Sequence, residues 1–320
     1  MKPLVVPLAA MAAILAASTS FGQGLATRPV VSAVACPAEV ITAATRDQRE
    51  VKAVVRKPPG KGPFPAAVTV HAGLFSAPLE TLVRDALDAP GAATDSRFLA
   101  AGYVMVSPTL RSRTHDPLTT DALVDLLGVI EHVKKMPEVD PRSVVLFGGS
   151  GSGSLVLEAA GETNVCAAIA GEPATVLFTG MYSSENLGGG PPFTPGSGKP
   201  ILEDPHKFYT SEVRQKTRAK INKIACPVLI LHGDQHILKK INHEIFIPEL
   251  KAAGKDVQVI VYPGEPHGFY WGREGSPEAA QKCFDDCQAF LKPLLKTQPT
   301  PLDESLVKRV PAKQQSALGR

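Results

Sequence analysis

The stretch that decides the fold is VVLFGGSGSGSLVLEAA, which runs from Val144 to Ala160. A short apolar run, typical of a buried strand, leads into a loop of glycines and serines, and a helix follows from Leu155. Ser150 stands where a strand–turn–helix elbow would present a nucleophile, and such a tight turn tolerates only small residues two positions away. Gly148 and Ser152 meet that need, although Ser152 replaces the usual second glycine.

Other interpretations of the same loop fit less well. It lacks the lysine of a phosphate-binding loop, and Val156 stands where a dinucleotide-binding fingerprint needs glycine. Ser152 is a weaker nucleophile candidate because it lies two residues further into the helix. A plain flexible turn is the alternative that this stretch leaves open on its own.

Strands and helices alternate from residue 66 to residue 295. This alternation predicts an α/β fold in which helices cover both faces of a mostly parallel sheet. Ligands of such sheets bind beyond the carboxyl ends of the strands. Strands are expected in 39–57 (two runs), 66–70, 103–106, 144–147, 165–170, 228–231 and 257–262, and helices at 97–101, 155–160, 242–253 (bent by Pro248) and 277–294. A further helix is expected between its caps Thr119 and Thr120 and Pro137, which stops it.

A histidine follows the last predicted strand. The sequence there is Pro263-Gly-Glu-Pro-His267-Gly-Phe269. A histidine in this loop can reach a serine at the carboxyl edge of the sheet and act as a general base. The chain order, serine well before histidine, fits that pair, so Ser150 and His267 together indicate nucleophilic catalysis.

The composition is that of a folded domain of ordinary charge. The 320 residues carry a net charge of +3, with 44% hydrophobic and 20% charged residues, which gives no reason to expect a nucleic acid partner. The five cysteines form no cluster with zinc-ligand spacing, and Cys283 and Cys287 fall on the apolar stripe of a predicted helix. We expect neither a metal nor an organic cofactor.

The first residues resemble an export signal. Lys2 precedes an apolar run from Leu4 to Ala17, and small residues follow. Because that run is shorter than the ~20 residues that span a bilayer, we expect removal of residues 1–22 and a secreted or periplasmic protein without a membrane span. The remaining chain is expected to form one domain over residues 23–296 and a flexible tail over 297–320.

A long irregular segment, residues 178–218, interrupts the alternation. It is rich in glycine and proline and too long for a simple connection, which predicts a loop-rich cap insertion over the site. A passive surface insertion is the alternative. Its apolar residues are candidates for a substrate pocket or for ordinary packing of the cap: Phe178, Met181, Tyr182, Phe193 and Phe208.

These motifs together resemble the α/β-hydrolases, in particular the dienelactone-hydrolase and prolyl-oligopeptidase-like branch. The resemblance spans about residues 40–295 and rests on the segments 65–73, 99–108, 139–153, 227–234 and 262–269. It implies that the loop after His71 belongs to an oxyanion hole, in which amides near Gly73 or Leu74 join that of Gly151, the first residue of the helix after the elbow. His71 itself is expected to be structural.

Two departures from the family pattern bear on the substrate. Dienelactone hydrolases carry a cysteine nucleophile, so Ser150 favours the serine-esterase side. Prolyl-oligopeptidase relatives usually carry a large N-terminal propeller, and the roughly 40 residues before the sheet leave no room for one. A small-molecule ester is therefore expected rather than a peptide.

The third departure concerns the catalytic acid. The family pattern after the seventh strand is His-Gly-x-x-Asp, and this chain reads His232-Gly-Asp234-Gln-His236. Two carboxylates can replace the missing acid: Asp234 in the same loop, and Glu172 after the neighbouring strand 165–170. Both choices stay open, and Glu265 beside His267 is expected only to order its loop.

The sequence thus predicts an exported serine hydrolase that cleaves a carboxylic ester. In this hypothesis Ser150 attacks, His267 moves the proton, and Glu172 or Asp234 orients His267. A non-catalytic binding protein of the same fold is the alternative from a different class, supported by His236 at the acid position. A small serine peptidase is the alternative among enzymes, and no feature of the sequence indicates an oligomeric state.

Overall fold

The computed structural model describes residues 36–71, 76–87, 94–113, 116–182, 198–272 and 274–303. The expected signal, residues 1–22, lies outside these ranges, as do the oxyanion-hole candidates Gly73 and Leu74 and the cap residue Phe193. Within the described ranges, no helix is both long enough and apolar enough to cross a membrane.

Eight strands of the described chain form one sheet in the order β1-β2-β4-β3-β5-β6-β7-β8. β1 pairs with β2 and β2 with β4 in antiparallel fashion, and every other pair is parallel. The predicted mostly parallel sheet is thereby confirmed. The strands are β1 (Ala38–Ala44), β2 (Glu50–Arg56), β3 (Phe64–Val70), β4 (Val104–Pro108), β5 (Val139–Gly149), β6 (Ala167–Gly171), β7 (Val228–Gly233) and β8 (Val257–Tyr262).

Helices fill the segments between the strands. The helix predicted after the elbow begins directly at Gly151, and the short helices after β3 and β6 were not predicted. The helices of the described chain are α1 (Leu79–Ala86), α2 (Thr94–Ala100), α3 (Asp121–Lys134), α4 (Gly151–Ala160), α5 (Thr175–Thr179), α6 (Lys199–Glu203), α7 (Pro205–Phe208), α8 (Ser211–Lys223), α9 (Leu238–Ile241), α10 (Ile247–Ala252) and α11 (Pro277–Leu291).

Alternate residues of the central strands belong to two separate cores. Val144 and Leu146 of β5 pack with α3, α4, α8 and α10 on one face of the sheet. Val145 and Phe147 pack with α2 and α11 on the other face. Because both faces are covered, residues 144–147 of β5 and the whole of β6 are continuous apolar runs, as expected for buried parallel strands.

The helix predicted over residues 242–253 is interrupted before Pro248. A π-helical segment, Asn242–Phe246, separates α9 from α10, and Pro248 lies in the first turn of α10. A proline ring clashes with the carbonyl four residues earlier and cannot donate to it. The wider π turn makes room for the proline ring, so the predicted bend at Pro248 is a π-helical interruption in the structure.

The described part of the cap region is helical. Its glycine-rich half falls in the undescribed residues 183–197, while α6, α7 and α8 occupy residues 199–223. Phe178, Met181 and Tyr182 are buried, and Phe178 meets Phe246 edge to face at 5.0 Å. These three side chains therefore serve as packing residues: Phe178 belongs to the large core with Phe246, and Met181 and Tyr182 form a smaller cluster against which the half-buried Phe208 packs.

The chain after α11 is fastened to the domain at least as far as residue 303. The Thr297 hydroxyl donates to Asp140 Oδ2 at 2.7 Å, and the Leu302 N–H donates to the Ala100 carbonyl at 2.8 Å. The ordered domain thus extends beyond residue 296, where the sequence placed its end. Residues 304–320 of the predicted tail lie outside the described chain.

A substitution of Gly102 tests whether residues 297–303 pack against the domain as the structure shows. It has φ +98°, and a Cβ built on it would lie 2.2 Å from the Thr300 carbonyl oxygen. We expect Gly102→Ala to lower the free energy of unfolding by about 3 kcal/mol, since left-handed strain of about 1 kcal/mol adds to overpacking against the 297–303 segment. Urea unfolding would measure it.

Gly180 provides the matched control. It also has a positive φ, +78°, but no described atom beyond its chain neighbours lies within 4 Å of the position that a Cβ would occupy. Gly180→Ala should therefore cost about 1 kcal/mol, the strain alone. Equal losses in the two variants would mean that the 297–303 segment does not press on Gly102.

Candidate active site

Ser150 lies in a strained turn between β5 and α4. Its φ and ψ are 56° and −124°, and among the described residues only Gln48 and Glu172 are other non-glycine residues with positive φ. Two hydrogen bonds hold the turn to the end of β6: the Ser150 N–H donates to the Gly171 carbonyl, and the Ala174 N–H donates to the Ser150 carbonyl, both at 2.8 Å. Backbone strain of this kind persists only where surrounding contacts enforce it.

Small residues around Ser150 are required by contact. A Cβ on Gly148 would lie 2.6 Å from the Ser152 carbonyl oxygen. Ser152, the other serine of the loop, is buried, and its hydroxyl accepts the Gly149 N–H at 2.9 Å. The same hydroxyl lies 3.1 Å from the Val70 carbonyl at the end of β3. Ser152 therefore braces the elbow, whereas Ser150 is half-buried.

Gly151 begins α4, so its N–H has no acceptor within the helix. It borders a narrow cleft of about 20 Å³ whose lining includes His71 and Leu155, which is room for about one water molecule. Arg113 lies buried in the wall of this cleft, with Nη1 3.8 Å from Glu158 Oε2. The residue that carries the first N–H of the helix, Gly151, therefore lies in the wall of this cleft and directly follows Ser150 in the chain.

Glu172 is the carboxylate that meets His267. It follows β6 directly, with φ +41° and a fully buried side chain. Oε1 accepts the Gly233 N–H at 3.1 Å, Oε2 accepts the Gly268 N–H at 2.9 Å, and Oε2 lies 2.8 Å from His267 Nδ1. The contact between Glu172 Oε2 and His267 Nδ1 is close but lacks the alignment of a straight hydrogen bond.

Asp234, the other candidate acid, makes different contacts. Its Oδ1 accepts the Gln235 side-chain amide at 2.6 Å and the Gly264 N–H at 2.8 Å, and these hydrogen bonds, Gln235 first, hold the pKa of Asp234 below its usual value. Glu265 accepts the Ser276 N–H and hydroxyl at 3.0 and 2.9 Å. Asp234 and Glu265 thus fasten the two sides of the loop that carries His267.

Ser150 and Glu172 lie at the ends of neighbouring strands. Gly149 of β5 is in register with Gly171 of β6, so the two residues that follow stand side by side at the carboxyl edge of the sheet. His267 reaches this edge from the loop after β8 through its contact with Glu172. The serine, the histidine and one of the two predicted acids therefore occupy one edge.

Tyr270 was not predicted and lies beneath this edge. A Cβ on Gly149 would be 2.4 Å from the Tyr270 ring, and one on Gly171 would be 2.7 Å away, so both strands end in glycine where the ring crosses them. Burial, followed by the charge of Glu172, raises the pKa of Tyr270 well above its usual value. The phenol is therefore neutral, and the paired glycines at the strand ends were its only signal in the sequence.

A buried histidine stands behind Glu172. The Asn242 amide nitrogen faces the Pro173 carbonyl at 2.9 Å, which orients it to donate its other hydrogen to His232 Nε2 at 2.8 Å. His232 Nδ1 consequently carries the proton and lies 4.0 Å from Glu172 Oε1. Burial is the main cause that lowers the pKa of His232 to about 4. Glu172 is thus backed by a neutral ring whose Nδ1 lies near Oε1 without a hydrogen bond between them.

Comparison with protein families and solved structures gives the following likenesses. The sequence profile described as the prolyl oligopeptidase family matches residues 109–298, more than half of the chain. No curated protein sequence matches the chain.

Among solved structures, esterase 2 of Thermogutta terrifontis, phosphoramylated by tabun, is 20% identical with a TM-score of 0.55, over 81% of this chain and 96% of that one. An esterase of Pyrobaculum calidifontis is 20% identical with a TM-score of 0.56, over 80% and 85%. A structure from a study of two prolyl endopeptidases is 17% identical with a TM-score of 0.59, over 82% and 39%. These likenesses confirm the α/β-hydrolase fold.

The strain at Ser150 predicts a gain in stability when it is relieved. Glycine adopts φ 56°, ψ −124° without the Cβ penalty. We expect Ser150→Gly to unfold with a free energy about 1 kcal/mol higher than Ser150→Ala, because relief of strain exceeds the extra entropy that glycine loses on folding. Both variants lack the hydroxyl, so the comparison isolates the backbone. Identical urea midpoints would show an unstrained elbow.

The lowered pKa of His232 should make the stability of the protein depend on pH. Its pKa falls from 6.5 to about 4 in the folded protein, so the unfolded chain takes up the proton first as the pH falls. Stability is therefore full above pH 6.5 and falls between pH 6.5 and about 4, by about 3 kcal/mol for this group.

Urea unfolding across that pH range checks this expectation with His232→Gln, which does not titrate. The variant should lose about 3 kcal/mol less than the wild type between the two ends of the range. A His232→Gln slope equal to that of the wild type would contradict the assignment.

Proposed function

The chain belongs to the prolyl oligopeptidase family of serine hydrolases, and we propose that it hydrolyses a carboxylic ester through an acyl-enzyme on Ser150. The observation that supports this proposal most is the pairing of His267 with the buried Glu172, on the edge of the sheet where the Ser150 turn lies. A carboxylate at the ring edge is the partner that a general-base histidine needs.

The proposed reaction uses each of these groups in turn. Ser150 Oγ attacks the ester carbonyl carbon while His267 takes its proton through the ring nitrogen remote from Glu172. The Gly151 N–H stabilises the developing oxyanion, and Gly73 or Leu74 are proposed as the second donor. His267 then gives the proton to the leaving alcohol, and a water activated by the same histidine hydrolyses the acyl-enzyme.

We assign the acid to Glu172 and not to Asp234. The Glu172 carboxylate is fully buried and accepts two backbone N–H groups, and its Oε2 is 2.8 Å from His267 Nδ1. The hydrogen bonds of Asp234 go to Gln235 and Gly264 instead. With an acid available from β6, the histidine at position 236 no longer argues for a binding protein without catalysis.

An ester is the proposed substrate class, with a peptide as the alternative. The two esterases align over most of their length, whereas the chain covers 39% of the prolyl endopeptidase. An activated ester is also the less demanding acyl substrate. The family includes peptidases by its description, so a small serine peptidase stays the second candidate. Export, with removal of residues 1–22, is a further proposal that rests on the sequence alone.

Covalent labelling tests the nucleophile, and the kinetics of two carboxylate variants test the acid. A fluorophosphonate should add once to the wild type and not to Ser150→Ala, as read by intact mass. Glu172→Gln should lower kcat/KM for p-nitrophenyl acetate about 10³- to 10⁴-fold, since the histidine loses its charge partner. Asp234→Asn makes the same carboxylate-to-amide change and should stay within a few-fold of the wild type.

Three outcomes would overturn parts of the proposal. A well-folded wild type that takes no label would leave a binding protein as the better interpretation. A larger loss in Asp234→Asn than in Glu172→Gln would move the acid to β7. Turnover of a proline-containing peptide anilide at a rate above that of the ester would favour the peptidase.

A further inference from the structure

His236 lies face to face with His267. The ring centroids are 3.9 Å apart and the planes differ by 21°. His236 stands between β7 and α9, and its Nδ1 accepts the Leu238 N–H at 3.3 Å, so the start of the helical segment holds its ring in place. A residue at the position of the family's acid thus touches the proposed base, but with a ring in place of a carboxylate.

The contact geometry excludes His236 as a substitute acid. A partner that orients a catalytic histidine must meet the ring edge at Nδ1, and Glu172 Oε2 occupies that edge at 2.8 Å. His236 meets the flat face of the ring instead. The two neighbours of His267 therefore restrain different motions of its side chain.

The Glu172 contact alone leaves one motion free. A single close contact at Nδ1, not aligned with the ring N–H, allows the imidazole to pivot about that nitrogen and swing its other edge. Flat stacking opposes this pivot because any tilt separates the two faces. The edge contact and the face contact together define one plane for the ring.

The charges around His236 suit this role. Burial is the main cause that lowers the pKa of His236, and the neighbouring His267 lowers it further, while Glu172 raises it. The groups facing it are Glu172 from the end of β6, His267 from the loop after β8, and the buried His232 of β7. A neutral ring adds no charge that would oppose the proton on His267 during the reaction.

We propose that His236 is a positioning residue, which stacks on His267 and fixes the plane of that imidazole so that one edge meets Glu172 and the other meets Ser150. This inference rests on the proposed function, because it assigns His267 the part of the base. His236 touches neither substrate nor reacting atoms in this assignment, and its effect on turnover passes entirely through His267.

Substitution at position 236 separates positioning from loop structure. With p-nitrophenyl acetate, His236→Ala should lower kcat about tenfold with KM nearly unchanged, because a misplaced base slows chemistry and not binding. His236→Phe keeps a flat ring and should recover most of the rate. Ile237→Ala, at the next, 39% exposed residue, controls for disturbance of the loop and should match the wild type.

A double variant tests whether the effect passes through the base. In a His267→Gln background, adding His236→Ala should cause no further loss of the residual rate, since the ring that it positions is gone. Full additivity of the two losses would overturn the proposal. So would an unchanged kcat in His236→Ala, or a His236→Phe variant as slow as the alanine.

A spectroscopic arm keeps the inference testable if the wild type has no esterase activity. The carbon-bound ring protons of His267 should resonate upfield in the wild type and in His236→Phe, where a ring covers them, and move downfield in His236→Ala. Unchanged resonances would show that the stack is absent. Upfield resonances that move downfield in His236→Ala, in a protein without esterase activity, would support the stack and overturn the ester proposal, so the two failures are distinct.

Discussion

The candidate site depends on one buried carboxylate. Glu172 is fully shielded from water, and an isolated charge there would be very unfavourable. Its compensation comes from separate parts of the chain: the Gly233 N–H at the end of β7, and the Gly268 N–H with the His267 ring in the loop after β8. The Glu172 side chain therefore links the end of β6 to the end of β7 and to the loop after β8, which are far apart in sequence. The position of His267 depends on these contacts, because its ring is one of the groups that compensate the buried carboxylate.

The loop that carries His267 is held at several further points, and the other two acidic residues near it, Asp234 and Glu265, serve this purpose. Asp234 binds the Gly264 N–H on one side of the loop, and Glu265 binds Ser276 at the start of α11 on the other. Tyr270 then inserts its ring against Gly149 and Gly171, at the ends of β5 and β6. The two glycines allow the Tyr270 ring to approach the ends of both strands, so the loop that carries His267 packs closely against this edge of the sheet.

Much of this arrangement could be predicted from the sequence, and the failures have a physical pattern. The elbow and the His267 loop carry local signals, namely small residues at fixed spacing and a histidine after the last strand. The choice between Asp234 and Glu172 carries none, because it depends on a left-handed φ at Glu172 and on N–H donors from distant segments. Helix α8 could have been predicted but was not. Thr210 caps it and its residues favour a helix, but the glycines elsewhere in the cap segment led to the prediction of an irregular loop.

The place of the acid is defined by the edge of the sheet more than by a position in the sequence. β6 and β7 are parallel neighbours, so a carboxylate after either strand reaches the same edge. The β6 position has an added consequence, since the Gly171 carbonyl accepts the Ser150 N–H and Glu172 is the next residue. Proposed nucleophile and proposed acid are thus fixed by one backbone hydrogen bond. With the proposed acid after β6, position 236 need not supply a carboxylate, and the ring of His236 contacts the proposed base, His267. A missing aspartate after β7 is therefore no sign of lost chemistry until the neighbouring strand end has been inspected.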